Sequence, residues 1–292
     1  VITEDLINSS YEACSHIAKA HYENFPLALW CFPRQIRRSI AAIYAFARMS
    51  DDIVDEGNLT ADERLTLLND VKHQLQNAIN GDPPENQFVF IALADTLKKQ
   101  QLDPQSFFDL LDAFEQDITK KTYANKQEQL DYCKRSANPV GKIVLQLFHS
   151  ATPETINYSN NICTALQLIN FLQDIVSDFT LRHRVYIPLD LLAKYHIPTE
   201  EILDKKHAVA LQAIMNSELD DIQQLLDQGR PLLQQLKGRL KWYIAIVITC
   251  ADYLTMALRK RGGNIHERPV LKPTLQYFYH FLRLLFIRNS KL

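Results

Sequence analysis

Two sets of side-chain oxygens recur at helical spacing. In the run Tyr44-Ala-Phe-Ala-Arg48-Met-Ser-Asp51-Asp52-Ile53-Val54-Asp55-Glu56, Asp51 and Asp55 are four residues apart. Asp52 and Glu56 repeat the interval one residue on. Side chains at that interval share a helix face. No Gly or Pro falls between Gln35 and Glu56, so the run reads as helix. Arg48 stands three residues before Asp51, in reach of the same face. Carboxylates stacked in this way repel each other, and a divalent cation bridged by oxygen ligands would relieve the repulsion. An exposed acidic helix end would show the same pattern, so this first set alone does not choose between the two.

The second set does more to choose. In Asn170-Phe-Leu-Gln173-Asp174-Ile-Val-Ser177-Asp178, the oxygens of Asn170, Asp174 and Asp178 fall at i, i+4 and i+8, one line along a helix. Leu166, Leu168, Ile169, Phe171, Leu172, Ile175 and Val176 make most of the remaining surface apolar, which predicts a buried helix. A buried polar stripe needs a partner charge or a metal. Two acidic stripes on two helices facing across a cavity would hold several Mg²⁺ ions. Magnesium bridges one or two carboxylates to phosphate oxygens, so the implied ligand is a diphosphate.

The elements that carry these residues are all helical. Thr60-Ala-Asp-Glu63 is a capping box that opens a helix to about Asn80, and Gly81-Asp-Pro-Pro84 ends it. Asp103-Pro104 caps a helix to about Lys121 that contains Asp109, Asp112, Glu115 and Asp117. Pro139 is expected to kink or break the next helix, which continues through Gly141 to about His149. Pro153 precedes the helix with the second stripe, Arg182 to Pro188 reads as a loop, and Thr199 begins a short helix. Val209 to Arg261 is helical again, interrupted near Gly229-Arg-Pro231 and stopped by Gly262-Gly263. No repeat, low-complexity stretch or long linker divides residues 1–292. The expected fold is all-α, one domain, a helical bundle around a central cavity.

With 292 residues, 47% of them hydrophobic, the chain can bury a sizeable core. A net charge of −2 leaves no nucleic-acid footprint. Cys14, Cys31, Cys133, Cys163 and Cys250 are scattered without a C-x-x-C pair, which argues against zinc or a disulfide framework and suits a reducing cytosol. Val1 is followed by acidic residues and no basic-then-apolar leader, so no secretory signal is expected. Trp242 to Cys250 is far shorter than the ~20 residues of a membrane span and is bounded by Lys241 and Asp252, so it reads as a core helix. Tyr277 to Arg288 mixes large apolar residues with Arg283 and Arg288. A docked terminal helix would carry that composition, and so would an interfacial segment in peripheral contact with the inner membrane.

The paired acidic motifs resemble those of the squalene and phytoene synthase family, the head-to-head isoprenoid synthases. Three further landmarks follow the family order. They are His21-Tyr22-Glu23-Asn24-Phe25-Pro26, then Tyr132 with Pro139-Val140-Gly141, then Arg184-Val185-Tyr186-Ile187-Pro188. The resemblance runs from about residue 10 to about residue 270. It implies an isoprenoid-synthase bundle, a prenyl diphosphate lipid substrate and Mg²⁺ as cofactor. It implies metal ligands at Asp51, Asp55, Asn170, Asp174 and Asp178. Substrate contacts would come from His21, Asn24, Arg48, Gln173, Arg184 and Arg268, with Lys142 a further phosphate-binding candidate. Tyr44, Tyr132 and Tyr253 would line the site with the catalytic acids Asp51, Asp55, Asp174 and Asp178, orienting diphosphate or flanking a cationic centre. Each tyrosine could equally be core packing. Asp117 matches another acidic position of the family, and a solvated helix acid would fit it too.

Two departures from the family pattern suggest a subgroup. The second motif carries Gln173 where most members have Arg, and Ser177 where they have an acid. In His-Tyr-Glu-Asn-Phe-Pro together with Leu172-Gln173-Asp174 the chain resembles the hydroxysqualene-forming subgroup of the bacterial hopanoid pathway. That implies ionisation of presqualene diphosphate and capture of the cation by water, with partner enzymes before and after in the pathway. No G-x-G-x-x-G occurs, in keeping with a reaction that uses no nicotinamide cofactor. Two other classes remain open on sequence: a prenyltransferase condensing two prenyl diphosphates, and a non-catalytic assembly factor of the same fold, against which the intact acids argue.

Overall fold

A computed structural model of the chain describes residues 2–20, 32–267 and 269. These contain thirteen α-helices and no β-strand, and the only ladder-like pairing among them is an isolated bridge between Thr122 and Val185. The fold is all-α, as the helix punctuation predicts. The described residues fall into two compact units. One runs to Thr119 and includes Ile143–His149, and the other comprises Lys120–Lys142 and the described residues from Ser150 onward.

The first unit packs α1 (Glu4–Ala20), α2 (Arg34–Asp55), α3 (Ala61–Ile79), α4 (Phe88–Gln100) and α5 (Gln105–Thr119) against one another. Helix α2 touches the other four, so the first acidic motif stands on the central element of its unit. Its apolar face is anchored by Phe46, whose ring meets Phe90 and Phe107 edge-on at 6.1 and 5.6 Å. Helix α3 starts where the capping box places it. The Glu63 amide donates to Thr60 Oγ1 at 3.3 Å, and the Thr60 amide donates to Glu63 Oε2 at 2.8 Å. Asp103 caps α5 through its side chain, accepting from the Gln105 amide at 3.0 Å.

The second unit is built on α8 (Pro153–Gln173), which packs against α6 (Lys126–Ser136), α11 (Ala208–Gly229), α12 (Leu232–Gln235) and α13 (Gly238–Arg261). Helices α9 (Ile175–Arg182) and α10 (Leu189–Lys194) follow α8, and 3₁₀ turns occupy Thr199–Glu201 and Lys205–His207. The helix after α6 follows the sequence expectation, running through Gly141 to Leu147. The run breaks at Ala137, between α6 and α7 (Asn138–Leu147), just ahead of Pro139, in keeping with a proline break; the break falls before the proline rather than at it. Helix α7 begins one residue before the proline, which stands in the first turn, where the missing amide is not needed. Gly141 lets α7 lie close on α8: a Cβ there would fall 2.3 Å from Ser159 Oγ. By length and composition α13 would suffice to cross a membrane, but 61% of its most apolar window is buried. It packs against α8 and α11 as a core helix, as the bounded apolar run predicts.

The contact of α11 with α8 depends on Gly229. A Cβ there would lie 2.5 Å from Ile162 Cγ1 and 3.0 Å from the Tyr158 carbonyl oxygen. The carbonyl cannot move without disturbing α8, so Gly229→Ala is expected to destabilise the protein by about 1–3 kcal/mol. Urea unfolding measures this, and an unchanged midpoint would contradict it.

Candidate active site

The first acidic motif occupies the last two turns of α2, which ends at Asp55 as expected. Arg48 is bound mainly to the second line of acids. Its Nη2 lies 2.5 Å from Asp52 Oδ1 and 2.7 Å from Glu56 Oε1, whereas Asp51 stands 4.0 Å from Nη1. Asp51 thereby receives less from Arg48 than Asp52 or Glu56 does. Burial, then the nearby Asp55, pushes its carboxyl up to about 6, and Arg48 offsets only part of this. Asp117, buried on α5, adds a further negative charge near Asp51, which puts this acid beside the motif. Tyr44, half-buried, lies one turn before Arg48. Burial raises its phenol, Arg48 opposes that, and Asp51 and Asp52 reinforce it.

The second motif departs from the continuous helix the spacing suggests. Asp174 belongs to neither α8 nor α9 and has φ −104°, ψ 14°. Hydrogen bonds from the Asp174 amide to Asn170 O (2.9 Å) and from the Asp178 amide to Asp174 O (2.8 Å) span the break. Ser177 Oγ donates to the same Asp174 carbonyl at 3.0 Å, a side-chain competitor of the kind that bends helices. The stripe also runs from open to enclosed rather than being buried throughout: Asn170 is exposed, Asp174 half-buried and Asp178 buried. Burial pushes the Asp178 carboxyl up to about 6, Asp174 adds to this, and Arg182, 3.1 Å from Asp178 Oδ1, pulls the other way.

Behind this stripe lies an aromatic cluster. Tyr186, from the Arg184–Pro188 signature, stacks on Phe171 of α8 with centroids 3.9 Å apart and planes at 8°. Tyr123 and Tyr132 complete the cluster, Tyr123 stacked on Tyr186 at 5.5 Å. Tyr132 is thus a core residue, 4% exposed. Arg184 is buried, and its amide donates to Asp178 O at 2.9 Å, which ties the signature loop to the last acid of the motif. Gln173 Nε2 donates to Pro269 O at 3.3 Å. Lys142 and Tyr253 are half-buried on α7 and α13. His21, Asn24, Arg268 and the segment Tyr277–Arg288 lie outside the described residues.

Sequence reasoning missed Arg182, although its i+4 spacing from Asp178 is the usual ion-pair interval. It also missed the packing role of Phe171, Tyr123 and Tyr186, which come from three separated segments. Among the described residues no three His, Cys, Asp or Glu side chains gather at one point. Each motif instead offers paired hard oxygen donors under mutual repulsion. That donor set suits Mg²⁺, which takes one or two carboxylates and completes its shell with phosphate oxygens and water.

The squalene/phytoene synthase family model matches residues 18–275, and the chain belongs to this family. It is an enzyme of the head-to-head isoprenoid synthase class. Hydroxysqualene synthase of Sinorhizobium fredii is 34% identical over 252 residues, covering 86% of this chain and 84% of that protein. The hydroxysqualene synthase of Zymomonas mobilis is 36% identical over 82% of this chain and 79% of its own. Squalene synthase HpnC from Alicyclobacillus acidocaldarius superimposes with a TM-score of 0.82 at 29% identity, covering 90% of this chain and 97% of that one. A dehydrosqualene synthase shares the fold with a TM-score of 0.82 at 21% identity, over 95% of this chain and 96% of its own.

The charge pattern around Asp51 has a consequence for the metal-free protein. Its folded value near 6 lies above the unfolded ~3.9, so the native state binds this proton more tightly, and stability falls as pH rises from about 4 through 6. Asp51→Asn removes that loss. Because the side chain keeps 44% of its exposure, water screens the effect, and the gain at pH 8 is expected to be at most about 1 kcal/mol. Melting curves at pH 8 and pH 4.5 measure it. An equal gain at both pH values, or a loss at pH 8, would contradict the assignment.

Proposed function

We propose that the chain, acting as one catalytic domain, converts presqualene diphosphate and water to hydroxysqualene and diphosphate with Mg²⁺ as cofactor. Similarity to hydroxysqualene synthases at 34% identity over 86% of the chain carries this reading. The bonding of Gln173 and Ser177 supports it. These residues stand where most relatives place Arg and an acid, and both spend hydrogen bonds on main-chain carbonyls, so neither brings charge to the diphosphate. A less charged motif suits a reaction that handles one diphosphate rather than two.

Chemically, the carbon–oxygen bond to diphosphate breaks heterolytically and the leaving group takes the electron pair. The cyclopropylcarbinyl cation rearranges, a water oxygen adds to it, and a proton is lost. Bound Mg²⁺ supplies Lewis-acid neutralisation of the departing diphosphate. Asp51 and Asp55 of the first motif, and Asn170, Asp174 and Asp178 of the second, would be the Mg²⁺ ligands of their respective motifs. Arg48 and Arg184, with Lys142, are suited to phosphate oxygens. Tyr44, under the electrostatic influence of Arg48 and Asp51, would orient the diphosphate. No redox step occurs, so no reductant is consumed.

The same reading places the enzyme in the cytosol or at the inner-membrane surface, where partner enzymes of the pathway would deliver its lipid substrate and take its product. Segment Tyr277–Arg288 has the apolar-plus-arginine composition of a membrane contact. Deleting it should lower binding to liposomes, and unchanged binding would remove that part of the proposal.

Pure protein with Mg²⁺ should turn over presqualene diphosphate and leave farnesyl diphosphate unconverted, as read by mass spectrometry of the lipid extract. Asp51→Ala and Asp174→Ala should each abolish turnover with little loss of fold. Presqualene diphosphate or squalene formed from farnesyl diphosphate alone would assign the condensing reaction instead, and near-wild-type turnover by either variant would overturn the site.

A further inference from the structure

Both acidic motifs lie at helix ends whose carbonyl oxygens are taken by a guanidinium from another helix. In the first unit Arg64 of α3 donates from Nη1 to Ile53 O and, at 3.0 Å, to Glu56 O. Its Nη2 donates to Gly57 O at 2.9 Å and its Nε to Leu59 O at 3.3 Å. In the second unit Arg261, the last residue of α13, donates from Nη2 to Leu172 O at 2.8 Å and from Nη1 to Glu267 O at 3.1 Å. Leu172 is in the last turn of α8, two residues before the break at Asp174.

Carbonyls in a last helical turn have lost their intrahelical donors, and a cation there also opposes the negative end of the helix dipole. Water or a glycine cap would satisfy the same groups at little cost. Arg261 is a more expensive choice. Among the described residues it forms no ion pair with a carboxylate, its Nε is buried without a hydrogen-bond partner, and the side-chain carboxylates of Asp174 and Glu267 act on it only through space. Partly burying a cation on these terms is unfavourable, and its hydrogen bonds to Leu172 O and Glu267 O are what offset the cost.

We propose that Arg261 is a positioning residue for the second acidic motif: by holding Leu172 O it keeps Asp174 out of the helix and so sets the directions of the Asn170, Asp174 and Asp178 oxygens. With that carbonyl released, Asp174 would relax toward helical dihedrals and α8 would run on into α9, turning Asp178 relative to Asn170. Arg64 stands in the same relation to the end of α2 that carries Asp51 and Asp55. The catalytic consequence rests on the metal–diphosphate reading above, whereas the geometric part does not.

The test uses full-length Arg261→Met and Arg261→Lys with two readouts. The first is amide hydrogen exchange of metal-free protein across residues 170–182. The second is the Mg²⁺ concentration that gives half of the thermal stabilisation by inorganic pyrophosphate. In Arg261→Met, exchange should change within 172–178 and remain as in wild type in α3 and α5. Its Mg²⁺ midpoint should rise about tenfold or more, the usual effect of losing a residue that orients metal ligands. Arg261→Lys, which keeps the charge but not the fork, should recover part of both, and it carries the test if the methionine variant does not fold. A variant with wild-type exchange in 172–178, or one that is less stable overall with an unchanged Mg²⁺ midpoint, would overturn the proposal. A wild-type protein that pyrophosphate and Mg²⁺ do not stabilise would count against the diphosphate reading, and the exchange pattern alone would then decide the role of Arg261.

Discussion

Carboxylates stacked along one helix face and partly withdrawn from water oppose folding, and much of the surrounding structure offsets them. The carboxyls of Asp51 and Asp178 are both pushed up to about 6, burial being the first cause in each and a neighbouring aspartate adding to it. Arg48 neutralises Asp52 and Glu56 at close range but leaves Asp51 at 4.0 Å, and Arg182 answers Asp178. The compensation is incomplete at Asp51 and at Asp178. Residual repulsion of that kind is what a site needs if a doubly charged cation is to bind there and be released with its product.

Rigid packing directs these charges. Helix α2 is held by the other four helices of its unit, with Phe46 between Phe90 and Phe107. Helix α8 is held by α11 and α13, and its Phe171 is pinned by Tyr186. The Arg184–Pro188 segment therefore has a structural meaning beyond its charge. One end stacks on the helix that carries the motif, and the other binds the carbonyl of Asp178 through the Arg184 amide.

Local signals were legible in the sequence because their causes are local. The capping box at Thr60, the Asp103 cap and the glycine stop at Gly262 all act within a few residues, and the structure shows them where expected. The acid spacing in α2 was legible for the same reason. The break at Asp174 was not, since residues 166–178 contain neither Gly nor Pro. It is associated with the Ser177 hydroxyl and with Arg261, which reaches Leu172 from far along the chain. Arg48 reaches Asp51 at 4.0 Å, as the spacing suggested, but it lies nearer Asp52 and Glu56, which the three-residue interval alone did not show. The division into two units was also hidden. The boundary falls inside α7, where no linker or change of composition marks it.

Within the family, the product depends on what meets the cation once diphosphate has left. The most direct measurement is the source of the product oxygen. Pure enzyme, Mg²⁺ and presqualene diphosphate in H₂¹⁸O, with no reductant, should give hydroxysqualene carrying one ¹⁸O atom. A product without the label, or no product until a reductant or a second prenyl diphosphate is added, would contradict it.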